Sequence, residues 1–142
     1  MGYLIKNPEY PDAVAIEEMG VQQERLNNPD LESHPIIFCD TDALNYLIWS
    51  VEIYGRHSKN LELILEKNQA ALYLLCFPDI PWSPDPLRQN PNDRERLFKL
   101  YLFEIYKLKL PFCLVSGIGI QRFNRANFFI ENKFPEFGNF RL

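Results

Sequence analysis

Three nearly continuous apolar segments most constrain how this chain can fold. They cover residues 35–39, 71–77 and 111–116. In each of them apolar residues follow one another instead of alternating with polar ones, as in strands that are covered on both faces. Stretches with helical spacing lie between them, and strands that alternate with helices form parallel sheets with right-handed crossovers. The sequence therefore predicts an α/β fold with a thin parallel sheet of three strands.

Five stretches have apolar residues at helical spacing. We predict helices over residues 12–25, 41–54, 60–67, 93–108 and 120–132. Asn92 or Asp93 is placed to cap the fourth of them. The length of 142 residues fits one domain, and neither an internal repeat nor a low-complexity linker interrupts the pattern. We therefore expect a single domain over residues 1–142.

The longest predicted connection covers residues 78–92 and contains five of the eleven prolines. Connections of this length in compact domains are usually lids or binding loops, and proline stiffens them by restricting φ. We therefore predict a lid loop there. A second distinct segment is the Phe-rich tail, residues 133–142, which we expect to pack across the domain or to contact a partner.

Charge and cysteine content exclude several classes of protein. The net charge of −4 argues against general affinity for nucleic acid or for an anionic membrane. No apolar run approaches the roughly 18 residues that a membrane span needs, and the polar N-terminus does not resemble a signal peptide. Cys39, Cys76 and Cys113 are dispersed and form no CxxC pair, which is typical of reduced core thiols. These features predict a cytoplasmic protein.

Two carboxylates follow the first apolar segment directly. Asp40 and Asp42 would lie at the carboxyl end of the first strand, the edge of an α/β sheet where ligands bind. One carboxylate there can hold Mg²⁺, and the second can orient a substrate hydroxyl or accept its proton. The alternative is that Thr41 or Asp42 caps the next helix, and the two roles are compatible.

The predicted lid loop carries an aromatic platform, an acid and a guanidinium, namely Trp82, Asp85 and Arg88. A tryptophan can stack on a flat ring or a cation, and an arginine can stabilise charge on a transferring phosphoryl group. Arg94 and Arg96 follow at a helix start, where the helix dipole favours acids. They indicate either an anion-binding role or a solvated helix end.

A glycine turn follows the last apolar segment. Ser116-Gly117-Ile118-Gly119 is suited to approach a nucleotide base closely, although an ordinary turn between strand and helix is the commoner case. Arg122 lies a few residues further on. His34 and His57 have no carboxylate or cysteine placed to form a triad, and no G-x-S-x-G occurs, so nucleophilic hydrolase chemistry is not expected.

Taken together, these motifs resemble the NadR-like ribosylnicotinamide kinase family of P-loop ATPases. The resemblance covers roughly residues 10–130. The matching residues are the Phe38-Cys39-Asp40-Thr41-Asp42 run, Leu44, Trp49, Tyr54 and Gly55 after it, Gln22 or Gln23 before it, the Asp79–Trp82 and Asp85–Arg88 stretches, Arg96 with Phe98, and Ser116, Gly117 and Arg122.

The resemblance implies a fold and a set of roles. The fold would be a three-layer, P-loop NTPase-like parallel sheet with helices on both faces, and the cofactors would be ATP and Mg²⁺. Asp40 would sit near Mg²⁺, Asp42 near the sugar hydroxyl that receives phosphate, and Arg88 at the phosphates. Trp82 would flank the nicotinamide ring. The other implied contacts are Asp85, Gln23 and Tyr54 to the substrate, and Arg96, Gly117 and Arg122 to the nucleotide.

One departure from the family pattern is large. Family members begin with a strand and a phosphate loop, G-x-x-x-x-G-K-[ST], and none of the six glycines of this chain belongs to such a motif. We therefore expect an N-terminally truncated domain that binds a nucleoside or nucleotide with lost or reduced phosphotransferase activity. One alternative is an interaction module that pairs with itself or another chain through an uncovered sheet edge. A second is a Mg²⁺-dependent phosphoesterase using Asp40 and Asp42.

Overall fold

The chain forms two compact units. The computed structural model describes residues 11–27, 36–56, 58–67, 70–83 and 92–137. Contacts divide the chain into an N-terminal unit, Met1–Gln69, and a C-terminal unit, Ala70–Leu142. Each unit has its own buried residues.

Three helices build the described part of the N-terminal unit. They are α1 (Ala13–Asn27), α2 (Ala43–Tyr54) and α3 (Lys59–Lys67). All three confirm the helices expected from apolar spacing. Their apolar faces meet in a core that includes the fully buried side chains of Ile16, Leu47, Ile48, Leu61 and Leu65.

Gly20 marks the closest approach between these helices. A Cβ atom on this residue would lie 2.5 Å from Cδ2 of Leu61 and 3.1 Å from Cβ of Tyr46. A glycine inside a helix costs about 1 kcal/mol relative to alanine. Here that cost is offset because only glycine lets α1 pack this closely against α2 and α3.

The C-terminal unit contains a parallel pair of strands, β1 (Tyr73–Cys76) and β2 (Phe112–Val115). Tyr73 pairs with Phe112 and Cys76 with Val115. Helix α4 (Arg94–Lys107) lies between the strands in sequence, because parallel neighbours need a crossover connection. Helix α5 (Ile120–Lys133) and a short 3-10 helix (Pro135–Phe137) follow. The predicted parallel pairing and both predicted helices are confirmed.

Aromatic contacts attach α4 to the strands. The rings of Tyr106 and Phe112 meet edge to face at 5.2 Å, and those of Phe98 and Phe77 at 5.1 Å. Such pairs contribute about 0.5–1.5 kcal/mol beyond the area that they bury. Among the described residues of this unit, the buried apolar ones are Ile105, Leu110, Val115 and Ile130. The described residues thus form an α/β arrangement of five helices and a short parallel sheet, which fits a P-loop-like fold.

The predicted strand over residues 35–39 is wrong for its described part. Residues 36–39 have no regular secondary structure, the Phe38 side chain is 67% exposed, and Cys39 is exposed. The described sheet therefore has two strands rather than three. An apolar run shows only that a segment could pack, whereas a strand also needs a neighbour for its backbone N–H and C=O groups.

Two smaller expectations also need correction. Cys76 is exposed and Cys113 is half-buried, so the described thiols are not the core residues that were expected. Asp93 does precede α4, but its side chain makes no capping hydrogen bond and binds Arg96 instead. Among the described helices, none combines the length and apolarity that crossing a membrane requires.

Candidate functional site

A backbone N–H from the turn after β2 and an arginine side chain meet at Asp79 in the C-terminal unit. Asp79 lies three residues beyond β1, and Gly117 lies two residues beyond β2. The Asp79 carboxylate accepts a hydrogen bond from the Gly117 N–H at 2.6 Å and another from Nη1 of Arg122 at 2.7 Å. We call Asp79, Ser116, Gly117, Arg122 and Arg125 the strand-end cluster.

Arg122 connects the two strand ends. Its guanidinium donates to the carbonyl oxygen of Gly117 at 3.0 Å and to that of Phe77 at 2.9 Å. The planar fork of an arginine can serve several acceptors at once, which a lysine cannot do with the same geometry. One side chain therefore fixes the positions of the loops after β1 and β2 relative to each other.

Two glycines of this turn adopt backbone conformations that other residues rarely take. Gly117 has φ +102° and Gly119 has φ +56°. A side chain at either position would be strained, so the turn depends on glycine. The turn brings the backbone around to the start of α5 and aims the Gly117 N–H at Asp79.

The electrostatics of the cluster favour an anion. The hydrogen bond from Gly117 lowers the pKa of Asp79, and Arg122 lowers this pKa further. Arg125 is exposed and donates to Oγ of Ser116. The cluster thus combines one carboxylate with two guanidiniums, at the sheet edge where α/β proteins bind ligands. The first turn of α5 adds the positive end of a helix dipole.

The start of the predicted lid loop is anchored to α4. Nη1 of Arg94 donates to the carbonyl oxygen of Ile80 at 2.6 Å. Trp82 follows and is 36% exposed. Arg96 instead binds Asp93 within its own helix turn, at 2.6 Å between Nη2 and Oδ2. The expected contacts of Asp85 and Arg88 lie outside the described residues.

Asp42 of the N-terminal unit is a helix cap. Its Oδ1 accepts from the Leu44 N–H at 3.0 Å, and Asn45 completes a capping box. The capping role considered from sequence is therefore confirmed, and its phosphate-site role stays a prediction. Asp40 is exposed. The described residues hold no group of three potential metal ligands, so a metal at Asp40 also stays a prediction.

Gln23 is brought near this segment, whereas Tyr54 is not. Nε2 of Gln23 donates to Oδ1 of Asn27 at 3.0 Å, and Nδ2 of Asn27 donates to the Thr41 carbonyl oxygen at 2.8 Å. The side chain of Asn27 therefore links Gln23 to the Asp-Thr-Asp stretch. Tyr54 lies at the other end of α2, where its hydroxyl donates to the Pro11 carbonyl oxygen.

Sequence reasoning missed Glu24. This residue is 7% exposed, and its Oε1 accepts from the Ala43 N–H at 3.0 Å. Burial raises its pKa, the hydrogen bond from Ala43 opposes the rise, and the charge of Asp42 adds to it. Ile16, Gly20 and Glu24 recur every four residues on the buried face of α1, and this spacing was the available signal.

Glu24→Gln is expected to flatten the pH dependence of stability. Because the folded state raises the pKa of Glu24, it holds more protons than the unfolded state between the ordinary and the raised pKa. The free energy of unfolding of the parent should therefore fall as pH rises through this window. Glutamine can still accept from Ala43 but does not titrate. Urea unfolding followed by circular dichroism at pH 4–7 measures the difference, with exposed Glu18→Gln as the control.

If parent and Glu24→Gln gave parallel stability curves over this pH range, the buried carboxyl would not be the titrating group. Glu18 lies on the same helix and carries the same charge but is exposed. Its substitution therefore controls for the loss of a carboxylate from α1 as such.

A shallow cavity of about 240 Å³ also lies within the N-terminal unit. Ser50, Arg56 and Lys59 contribute to its lining, together with Glu17. The Glu17 carboxylate is bound to the Ser58 hydroxyl and, at 3.1 Å, to Nδ2 of Asn60. None of the predicted site residues lines this cavity.

Comparison with known proteins supports the nucleotide-binding interpretation at the level of family. Residues 5–122 match the model of the family described as the AAA domain. No curated protein and no solved structure matches the chain. The matched stretch includes Asp79, Gly117 and Arg122 and ends three residues before Arg125.

Proposed function

The chain belongs to the AAA domain family of P-loop nucleotide-binding proteins, because the family model matches residues 5–122. We propose that the strand-end cluster contacts the nucleotide. We further propose that the second ligand is a nucleoside of the nicotinamide riboside class, which would stack on Trp82. The coarser assignment, an AAA-type nucleotide-binding domain, follows from the family. The choice of nucleoside rests on the sequence resemblance described above.

The observation that carries the proposal is the geometry at the carboxyl ends of β1 and β2. A glycine turn, a bridging arginine and an exposed arginine lie together at this edge. Ligands of α/β proteins bind outside the carboxyl ends of parallel strands, and glycine permits a close approach of the backbone to them. The cluster has two guanidiniums and one carboxylate, so its net charge is positive. A positive site can attract a phosphate or a polarised base.

Asp40 is the residue that would hold Mg²⁺. This ion is usually bound by one or two carboxylates together with substrate phosphates and water, so one exposed aspartate fits the role. When bound, the ion would supply positive charge beside Asp40. Asp42 would orient the accepting hydroxyl while its carboxylate also caps α2.

We also propose that the chain by itself transfers phosphate slowly or not at all. Its 142 residues contain no G-x-x-x-x-G-K-[ST] motif. In P-loop enzymes the backbone amides and lysine of this motif hold the β- and γ-phosphates, and positioning is most of phosphoryl-transfer catalysis. Binding without efficient transfer is therefore the expected behaviour.

Calorimetric titration of the chain with ATP and with nicotinamide riboside, with and without Mg²⁺, tests the proposal. Arg125→Gln should weaken ATP binding about tenfold or more, because a hydrogen bond to a charged group contributes about 1.5–3 kcal/mol. Lys133→Gln is the matched control, since it removes the same charge about 12 Å further along α5. Absence of heat with every ligand, or equal losses in the two variants, would contradict the proposal.

A further inference from the structure

We propose that Arg94 is a positioning residue, which holds Trp82 in place before any ligand arrives. The identity of the ligand rests on the proposed function, but the positioning itself does not. The inference comes from how the loop after β1 is attached to the rest of the C-terminal unit.

Residues 77–80 are held from two sides. On one side, the Phe77 ring packs edge to face on Phe98 of α4, and the Ile80 carbonyl oxygen accepts from Arg94 of the same helix. On the other side, Asp79 accepts from Gly117 and Arg122. This loop is therefore tied both to α4 and to the segment that follows β2.

The two arginines in the first turn of α4 make different contacts. Arg96 folds back onto Asp93 of its own turn, whereas Arg94 crosses to the loop. A cation in this turn gains nothing from the helix dipole, which favours acids there. The hydrogen bond to Ile80 gives Arg94 a structural purpose that a merely solvated helix end would lack.

The restraint at Ile80 reaches Trp82 because the two residues are close in the chain. Only Pro81 separates them, and its ring restricts φ. Two residues span at most about 7 Å, so fixing the Ile80 carbonyl confines the Trp82 backbone to a small volume. An exposed fraction of 36% leaves part of the indole available for a flat ring. A tryptophan whose backbone is already confined spares the ligand part of the cost of ordering it.

Tryptophan fluorescence tests the proposal without any ligand. The chain has two tryptophans, so Trp49→Phe leaves Trp82 as the sole emitter. In this background, Arg94→Met should raise the acrylamide quenching constant by roughly half or more and shorten the anisotropy decay, because local restraint is lost. Arg94→Lys, which retains a donor, should be intermediate. Lys99→Met is the matched control, since it removes a positive charge from an exposed position of the same helix.

A second measurement connects the restraint to binding. The affinity for nicotinamide riboside should fall about fivefold in Arg94→Met, the effect of one side chain that must be ordered on binding. Unchanged quenching and anisotropy in Arg94→Met would overturn the proposal. Both quantities could change while nicotinamide riboside binds neither the parent nor any variant. In that case the role of Arg94 stands and the proposed nucleoside ligand is wrong.

Discussion

Gly20→Val is expected to lower the free energy of unfolding of the N-terminal unit by about 2–3 kcal/mol. A Cβ atom at this position would lie 2.5 Å from Cδ2 of Leu61, and Leu61 is fully buried, so its side chain has little room to move away. The Cβ of Tyr46 would lie 3.1 Å away, which is also closer than an ordinary contact. Valine is a better helix former than glycine, but that gain is smaller than the cost of overpacking. Urea unfolding followed by circular dichroism measures the change.

A double-mutant cycle with Leu61→Ala separates this clash from other effects. Leu61→Ala alone should cost about 2–5 kcal/mol, as for other large-to-small changes in a core. It also removes the atom that a side chain at position 20 would meet first. Gly20→Val should therefore cost at least 1 kcal/mol less in the Leu61→Ala background, a coupling of the size seen for residues in contact. Additive losses would show that the helices do not meet closely at Gly20.

The helices could be predicted from sequence because their signal is local. Apolar residues at helical spacing identified α1 to α5, and the Asp42 cap followed from the chemistry of the residue before α2. Another local signal, a continuous apolar run, suggested a strand over residues 35–39, and its described part, residues 36–39, is not a strand. Whether an apolar run becomes a strand depends on a neighbour elsewhere in the chain, and a single sequence does not reveal that neighbour.

The strand-end cluster also depends on contacts between distant parts of the chain, which a single sequence does not reveal. Gly117 and Arg122 were predicted to contact the nucleotide, and they lie together. Asp79 was named only within a stretch that resembles the family and not as a nucleotide contact, because its partners are 38 and 43 positions away in the chain. Glu24 was missed for a similar reason, since its partner Ala43 belongs to another helix. Residue types and spacing identified candidate groups, but only the fold showed which of them meet.

Asp79→Asn is expected to loosen the contact between the loop after β1 and the glycine turn after β2. The variant keeps the size of the side chain but loses the charge that pairs with Arg122, and it leaves the Gly117 N–H with a weaker acceptor. The melting temperature at pH 7, followed by Trp82 emission in a Trp49→Phe background, should fall by about 5 °C. The loss should be large because this contact connects two loops rather than neighbours in one turn.

The stabilising contribution of Asp79 should depend on pH. Asp79 has a lowered pKa in the folded state, so the unfolded state binds more protons between the lowered and the ordinary pKa. Its stabilising contribution is therefore present above the ordinary pKa of an aspartate and is lost as pH falls through the lowered pKa. The difference in melting temperature between parent and Asp79→Asn should shrink over the same acidic range. A difference that stays constant down to pH 2 would exclude this carboxylate as its source.

Asp93→Asn is the matched control for this experiment. Asp93 also has a lowered pKa, caused first by its hydrogen bond from Arg96, but the pair lies within one helix turn and is exposed. Exposed pairs of this kind contribute little, so the melting temperature should change by only about 1–2 °C. Equal losses in Asp79→Asn and Asp93→Asn would mean that joining the two strand ends adds nothing beyond a local ion pair. A clearly larger loss for Asp79→Asn would show that the glycine turn and the loop after β1 unfold as one structural unit.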